Sequence, residues 1–217
     1  SSFFTQSAMA LVQICMNNML VKCGAASIYG SDIPMAAFGI VMKVNSIIVG
    51  VMVGLGIGSQ PIVGYNYGAR KYDRVVKTYK RTVIIGTIIA AAGWCCFQLF
   101  PQAIVNAFGQ ESGLYNQFAV LCFRRFLCTV FLLGVIIPSG IFFQSIGEPV
   151  KAMIATMSRS LLFFIPALYI LGGKYGLDGI LWAGPVSDVL AVVLVGTLAI
   201  REIGRIRGLE KLPPQES

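Results

Sequence analysis

An all-α integral membrane protein, folded as a bundle of six transmembrane helices, is the fold class predicted for this chain. Three observations predict it. Of its 217 residues, 56% are apolar and only 12% are charged, against about 25% charged in a typical soluble domain. The apolar residues gather into runs that reach the roughly 20 residues needed to cross a bilayer. Charge is also segregated. The stretch Gly64-Tyr65-Asn66-Tyr67-Gly68-Ala69-Arg70-Lys71-Tyr72-Asp73-Arg74, continuing through Lys77, Lys80 and Arg81, sets six basic residues and one acid between two long apolar runs.

The elements follow in order. A first span is expected near residues 3–23, and a short polar connection (Ser27 to Asp32) leads to a second near 34–58. The basic stretch, residues 64–81, reads as a loop before a third span near 83–100. Pro101 should end that helix, because its ring removes a donor and clashes with the preceding turn. Residues 102–117 form a polar connection without Lys or Arg. A fourth span is expected near 118–143 and a fifth near 150–171. A Gly-Gly-Lys-Tyr-Gly turn at 172–176 precedes the sixth, near 179–200. The six-helix lobe therefore occupies residues 1–204, and 205–217 are expected to form a basic, disordered cytoplasmic tail.

Orientation comes from the distribution of Lys and Arg. The connections on the basic-stretch side hold eleven of the seventeen basic residues, counting Lys151 and the tail with Arg201, Arg205, Arg207 and Lys211. Basic connections stay in the cytoplasm, so the basic stretch and both ends of the chain are expected there. The protein is expected in the plasma (inner) membrane as a multi-pass protein. The net charge of +8 is then a matter of topology and anionic lipid headgroups, and no nucleic-acid partner is expected.

Composition also limits the chemistry. There is no histidine, and Cys15, Cys23, Cys95, Cys96, Cys122 and Cys128 form no C-x-x-C pair. Mixed zinc sites and a disulfide framework are not expected, and free thiols act as small hydrophobes. Gly54-x-Gly56-x-Gly58 lies inside a span rather than at a strand-to-helix turn, so it is no nucleotide cradle. No enzymatic activity, no metal site and no cofactor are expected.

Several residues remain as candidates. Gly50, Gly54 and Gly58 recur every four residues, a spacing that lets helices approach closely in lipid. Pro138, Pro166 and Pro185 interrupt the last three spans, as in transporters whose broken helices line a cavity; proline is also simply common in spanning helices. Gln6, Gln13 and Asn17 share a helical stripe, with Asn18 alongside. They either face a cavity or hydrogen-bond between helices. Lys43, in the second span near Asn45, either snorkels, pairs across helices or meets the cavity.

Ionisable groups inside a membrane usually face a partner or a cavity. At 1.5 Å per residue, Asp188 lies about 18 Å and Arg159 about 13 Å from the cytoplasmic ends of their spans. Antiparallel neighbours would bring them together, so an Arg159–Asp188 ion pair is expected. It is either a static clamp or a proton-sensitive latch.

Ala36-Ala37-Phe38-Gly39-Ile40 and Gly54-Leu55-Gly56-Ile57-Gly58-Ser59-Gln60-Pro61-Ile62-Val63-Gly64-Tyr65-Asn66-Tyr67-Gly68-Ala69 resemble the second-helix and loop signature of the multidrug and toxic compound extrusion (MATE) transporters. Phe142-Phe143-Gln144-Ser145-Ile146-Gly147, Ser158-Arg159, Ile165-Pro166-Ala167-Leu168-Tyr169-Ile170-Leu171, Gly176-Leu177-Asp178-Gly179-Ile180 and Gly184-Pro185-Val186-Ser187-Asp188 agree with the rest of the pattern. The resemblance implies one lobe, the C-terminal one, of a twelve-helix transporter whose N-terminal six-helix lobe is its partner across a central cavity. It implies a secondary active multidrug antiporter that exports amphiphilic, cationic drugs in exchange for H+ or Na+ by alternating access. The family's coupling carboxylates are often in the N-terminal lobe, and the first and fourth spans here contain no Asp or Glu. A lipid-linked oligosaccharide flippase of the same wider superfamily is the alternative; more cationic residues than Lys43 and Arg159 would be expected in its cavity.

Overall fold

The computed structural model describes residues 2–108 and 113–210, with side chains described within residues 7–209 of those ranges. Every regular element among them is helical. Helix α1 (Ser2–Ala25) ends in a tight reversal, where the Ser27 hydroxyl donates to the Gly24 carbonyl at 2.8 Å. A Cβ on Gly24 would lie 2.5 Å from the Gly30 carbonyl oxygen, so the reversal closes only around glycine.

Helix α2 (Asp32–Gly68) and helix α3 (Tyr72–Leu99) correct the expected loop over 64–81. Only Ala69, Arg70 and Lys71 are non-helical. Arg70 takes the left-handed conformation (φ 57°), and the Lys71 amide donates to the Asn66 carbonyl at 2.8 Å. The physical reason is length. A helix of 37 residues is about 55 Å long, well beyond a hydrocarbon core of about 30 Å. The edge of the lipid ends the apolar run but not the helix, and Arg and Lys propagate a helix nearly as well as Leu.

Helix α4 (Pro101–Phe108) and helix α5 (Gly113–Phe126) occupy much of the stretch expected as a connection. The expected fourth span is broken. Helix α5 gives way to a short 3-10 turn (Val130–Leu132) and helix α6 (Leu133–Ser145), with a 43° bend between the halves. Pro138 does not cause that break; it lies buried inside α6. The fifth span consists of helix α7 (Pro149–Met157), a π-helical segment (Ser158–Phe164) and helix α8 (Ile165–Tyr175). Pro166 is the second residue after the π segment. Its ring clashes with the carbonyl four residues back and offers no donor, and the widened turn before it accommodates both defects.

Helix α9 (Leu177–Glu210) passes Pro185 without ending. It also continues through residues 205–210, which were expected to belong to a disordered tail; residues 211–217 lie outside the described residues. Among the described residues, five helices are long and apolar enough to cross a membrane, or six spans if the bent α5–α6 pair counts as one. The spanning window of α9 is 44% buried inside the bundle, against 22–28% for the other four. Helix α9 is therefore the enclosed spine, while α3 turns Ile84, Ile85 and Ile88 outward. These features define a multi-pass membrane protein.

Candidate functional site

Among the described side chains of α9, three acids mark levels along the helix: Asp178, Asp188 and Glu202. The distance from Asp178 to Glu202 is about 36 Å at the helical rise, close to the thickness of the hydrocarbon core. Asp178 pairs with Arg125 at 2.5 Å at one end. At the other end Glu202, only 2% exposed, accepts from Lys151 at 2.5 Å and from Arg205 Nε at 2.7 Å. Glu148 joins this cluster through Arg205 and Lys151.

Between the two ends, Asp188 is 3% exposed. Arg159 and Asp188 do meet: Arg159 Nε donates to Oδ1 at 2.5 Å, and Thr129 donates through Oγ1 to Oδ2 at 2.8 Å. Two of the three groups sit on irregular backbone: Thr129 lies in the break between α5 and α6 and Arg159 in the π segment, whereas Asp188 lies within the continuous α9, one turn after Pro185. Two interruptions of regular helix thus converge on one carboxylate. Irregular backbone inside a membrane persists where protein or a water-lined cavity satisfies it, and π turns are frequent at functional sites. Both oxygens of Asp188 are thus engaged, one by Arg159 and one by Thr129.

Beside the pair lies a cavity of about 70 Å³ whose walls include Asn45, Arg159, Ser160, Ser187, Phe126 and Phe164. The Phe126 ring packs edge-on against Phe38 (4.9 Å) and Phe164 (6.3 Å). It fits because Gly184 carries no Cβ; one there would lie 2.7 Å from the ring. No described protein group hydrogen-bonds Asn45 Oδ1.

The other candidates are placed differently. Gln13 donates to Asn17 Oδ1 at 3.1 Å on an exposed face of α1, and Asn18 is exposed as well. The Gln6 side chain lies outside the described residues. Lys43 is exposed on α2 and does not line the Asn45 cavity. Gly50, Gly54 and Gly58 meet no neighbouring helix within this lobe. All three are exposed, and a Cβ on any of them would meet nothing within 4 Å. The close approaches fall on Gly56, against Ile141, and on Gly86 and Gly134, where α3 and α6 touch backbone to backbone. A repeat of four marks one helix face without saying which face has a neighbour.

Sequence reasoning passed over Thr129, Ser160, Ser187 and the Glu148–Lys151–Glu202–Arg205 cluster. For the cluster a signal existed, since Glu148/Lys151 and Glu202/Arg205 are each three apart on a helix. The uncharged residues carried none. Among the described residues, no three His, Cys, Asp or Glu side chains are grouped to hold a metal ion.

Comparison with known proteins adds the family. Among curated protein sequences none matches this chain. Of solved structures, a crystal structure of MATE in the straight conformation superposes with a TM-score of 0.85 at 17% identity, covering 94% of this chain and 45% of that one. An outward-facing multidrug resistance MATE family transporter of the MOP superfamily gives 0.85 at 18% identity over 94% and 45%. The inward-facing conformation of such a transporter gives 0.81 at 19% identity over 94% and 46%. This chain thus spans a little under half the length of the structures it resembles, as one lobe would. With the MatE family model matching residues 3–170, the chain belongs to the MatE family of membrane transporters.

Proposed function

We propose that this lobe is the C-terminal half of a secondary active multidrug antiporter, which exports amphiphilic cationic drugs in exchange for H+ or Na+ by alternating access. The observation that carries the reading is the convergence of the α5–α6 break and the π segment on Asp188 of α9. A lobe that rocks needs discontinuous helices, and it needs them held in register while it moves. The Arg159–Asp188 pair acts as the clamp that holds them. The Arg159 guanidinium already matches the charge of Asp188, which suits a clamp better than a coupling site. Ion coupling is therefore assigned to carboxylates of the N-terminal lobe. Coupling requires that ion and drug differ in affinity between the inward- and outward-facing states.

The flippase alternative gains nothing from the geometry. Of its two cationic candidates, Lys43 lies on the exposed face and Arg159 is neutralised by Asp188. The test is efflux of a fluorescent cationic dye by the full-length protein in vesicles under imposed Na+ or H+ gradients. Gradient-dependent efflux is expected; its absence for every amphiphile tried, with flipping of a pyrophosphate-linked lipid, would replace the antiporter with the flippase.

A further inference from the structure

We propose that the cavity between Asn45, Arg159, Ser160 and Ser187 is a bound-water site, in which one or two water molecules bridge α2 to the π segment beside the Arg159–Asp188 pair. The size comes first. A cavity of about 70 Å³ exceeds the roughly 10–15 Å³ that one water requires and falls far below the roughly 300 Å³ or more of a drug-sized pocket.

The wall chemistry selects the ligand. Asn45 is 6% exposed, and its Oδ1 is buried with no protein donor, which is the situation that buried water commonly resolves. Among the described residues Arg159 is engaged only through Nε, so its terminal nitrogens remain as donors. The Ser187 hydroxyl donates to the Gly184 carbonyl at 2.7 Å, leaving its lone pairs to accept. The lining therefore offers donors and acceptors together. Its one charge is already matched by Asp188, so neither an anion nor a cation is favoured over a neutral molecule that both donates and accepts. A water accepting from the guanidinium and donating to Asn45 Oδ1 meets every condition. Phe126 and Phe164, 7% and 8% exposed, form apolar walls together with the half-buried Val12 and Met42.

This site does not depend on what the transporter carries. It is tested by radiolytic hydroxyl labelling of the full-length protein in lipid nanodiscs, because radicals formed from a bound water attack the side chains around it even when these are buried. Phe126 and Phe164 are expected to label several-fold faster than Phe97 and Phe142, which are 6% and 3% exposed and lie away from the cavity. Asn45→Leu, which fills the space and removes the acceptor, is expected to bring both rings down to the rate of the controls. Wild-type rates equal to the controls would overturn the proposal. So would fast labelling that survives Asn45→Leu, since bulk solvent would then be reaching the rings. Should Asn45→Leu not fold, the wild-type ratio and Ser160→Val decide in the same way.

Discussion

Lys151 Nζ lies 2.5 Å from Glu202 Oε2, joining a lysine at the start of α7 to a carboxylate that α9 keeps 2% exposed. A buried carboxylate needs a partner far more than a surface one does. Lys151→Met leaves Glu202 with Arg205 alone, and a loss of about 1–3 kcal/mol is expected. Lys77→Met breaks the pair with Asp73, whose members are 65% and 57% exposed, and about 0.5 kcal/mol or less is expected. Thermal unfolding of both variants of the full-length protein checks the contrast. Equal shifts would mean that Glu202 is not held as a buried ion.

Gly134 and Gly54 should respond oppositely to alanine. A Cβ on Gly134 would lie 2.6 Å from the Thr87 backbone, which cannot swing aside as a side chain can, so α3 and α6 must part. A loss of roughly 1–3 kcal/mol is expected. Gly54→Ala meets nothing within 4 Å in this lobe and is expected to change stability by about 0.5 kcal/mol at most. If Gly54→Ala nevertheless reduced transport by the full-length protein at unchanged Tm, the face of Gly50, Gly54 and Gly58 would be placed against the opposite lobe.

Arg70 occupies the left-handed position that ends α2, with φ 57°. An L-residue with a long side chain pays roughly 1 kcal/mol there, and glycine does not. Arg70→Gly is thus expected to raise stability by up to about 1 kcal/mol, the more flexible unfolded chain offsetting part of the gain. Five basic residues remain between Lys71 and Arg81, enough to keep the turn on its side of the membrane. Thermal unfolding, together with impermeant labelling of a cysteine placed at Ala69, measures both effects.

The sequence and the structure agree where the signal is thermodynamically large. Apolar runs of spanning length have few fates, and two ionisable groups at similar depth in neighbouring spans, Arg159 and Asp188, must find each other or another partner. Disagreement arises where the competing states differ by little. Residues 64–81 are polar enough for a loop, yet water solvates a protruding helix equally well. The break after Phe126 lies in an apolar run that composition does not register, and the Ser158-Arg159-Ser160 start of the π segment marks a polar contact without announcing a change of helix type. Asn45, Thr129, Ser160 and Ser187 are uncharged residues of kinds found throughout spanning helices, and only the packing of four separate segments brings them to one place. Proline was the wrong guide for the same reason. Pro138 and Pro185 stay inside their helices, whereas Pro166 displaces its effect to the turn before it.

The Arg159–Asp188 pair separates stability from function in a single double-mutant series. Arg159→Met removes the guanidinium and leaves a carboxylate, 3% exposed, held by Thr129 alone. Breaking one side of a buried pair typically costs about 3–5 kcal/mol, so the single variant should unfold at clearly lower temperature. Adding Asp188→Leu removes the stranded charge and fills its place with apolar volume, and most of the stability is expected to return. A clamp of this kind holds helices together without taking part in ion exchange, so the double variant in the full-length protein should keep gradient-driven dye efflux within a few-fold of wild type. A double variant that regained its Tm and yet lost the dependence of efflux on the ion gradient would make the pair the coupling latch, and would move the coupling site into this lobe.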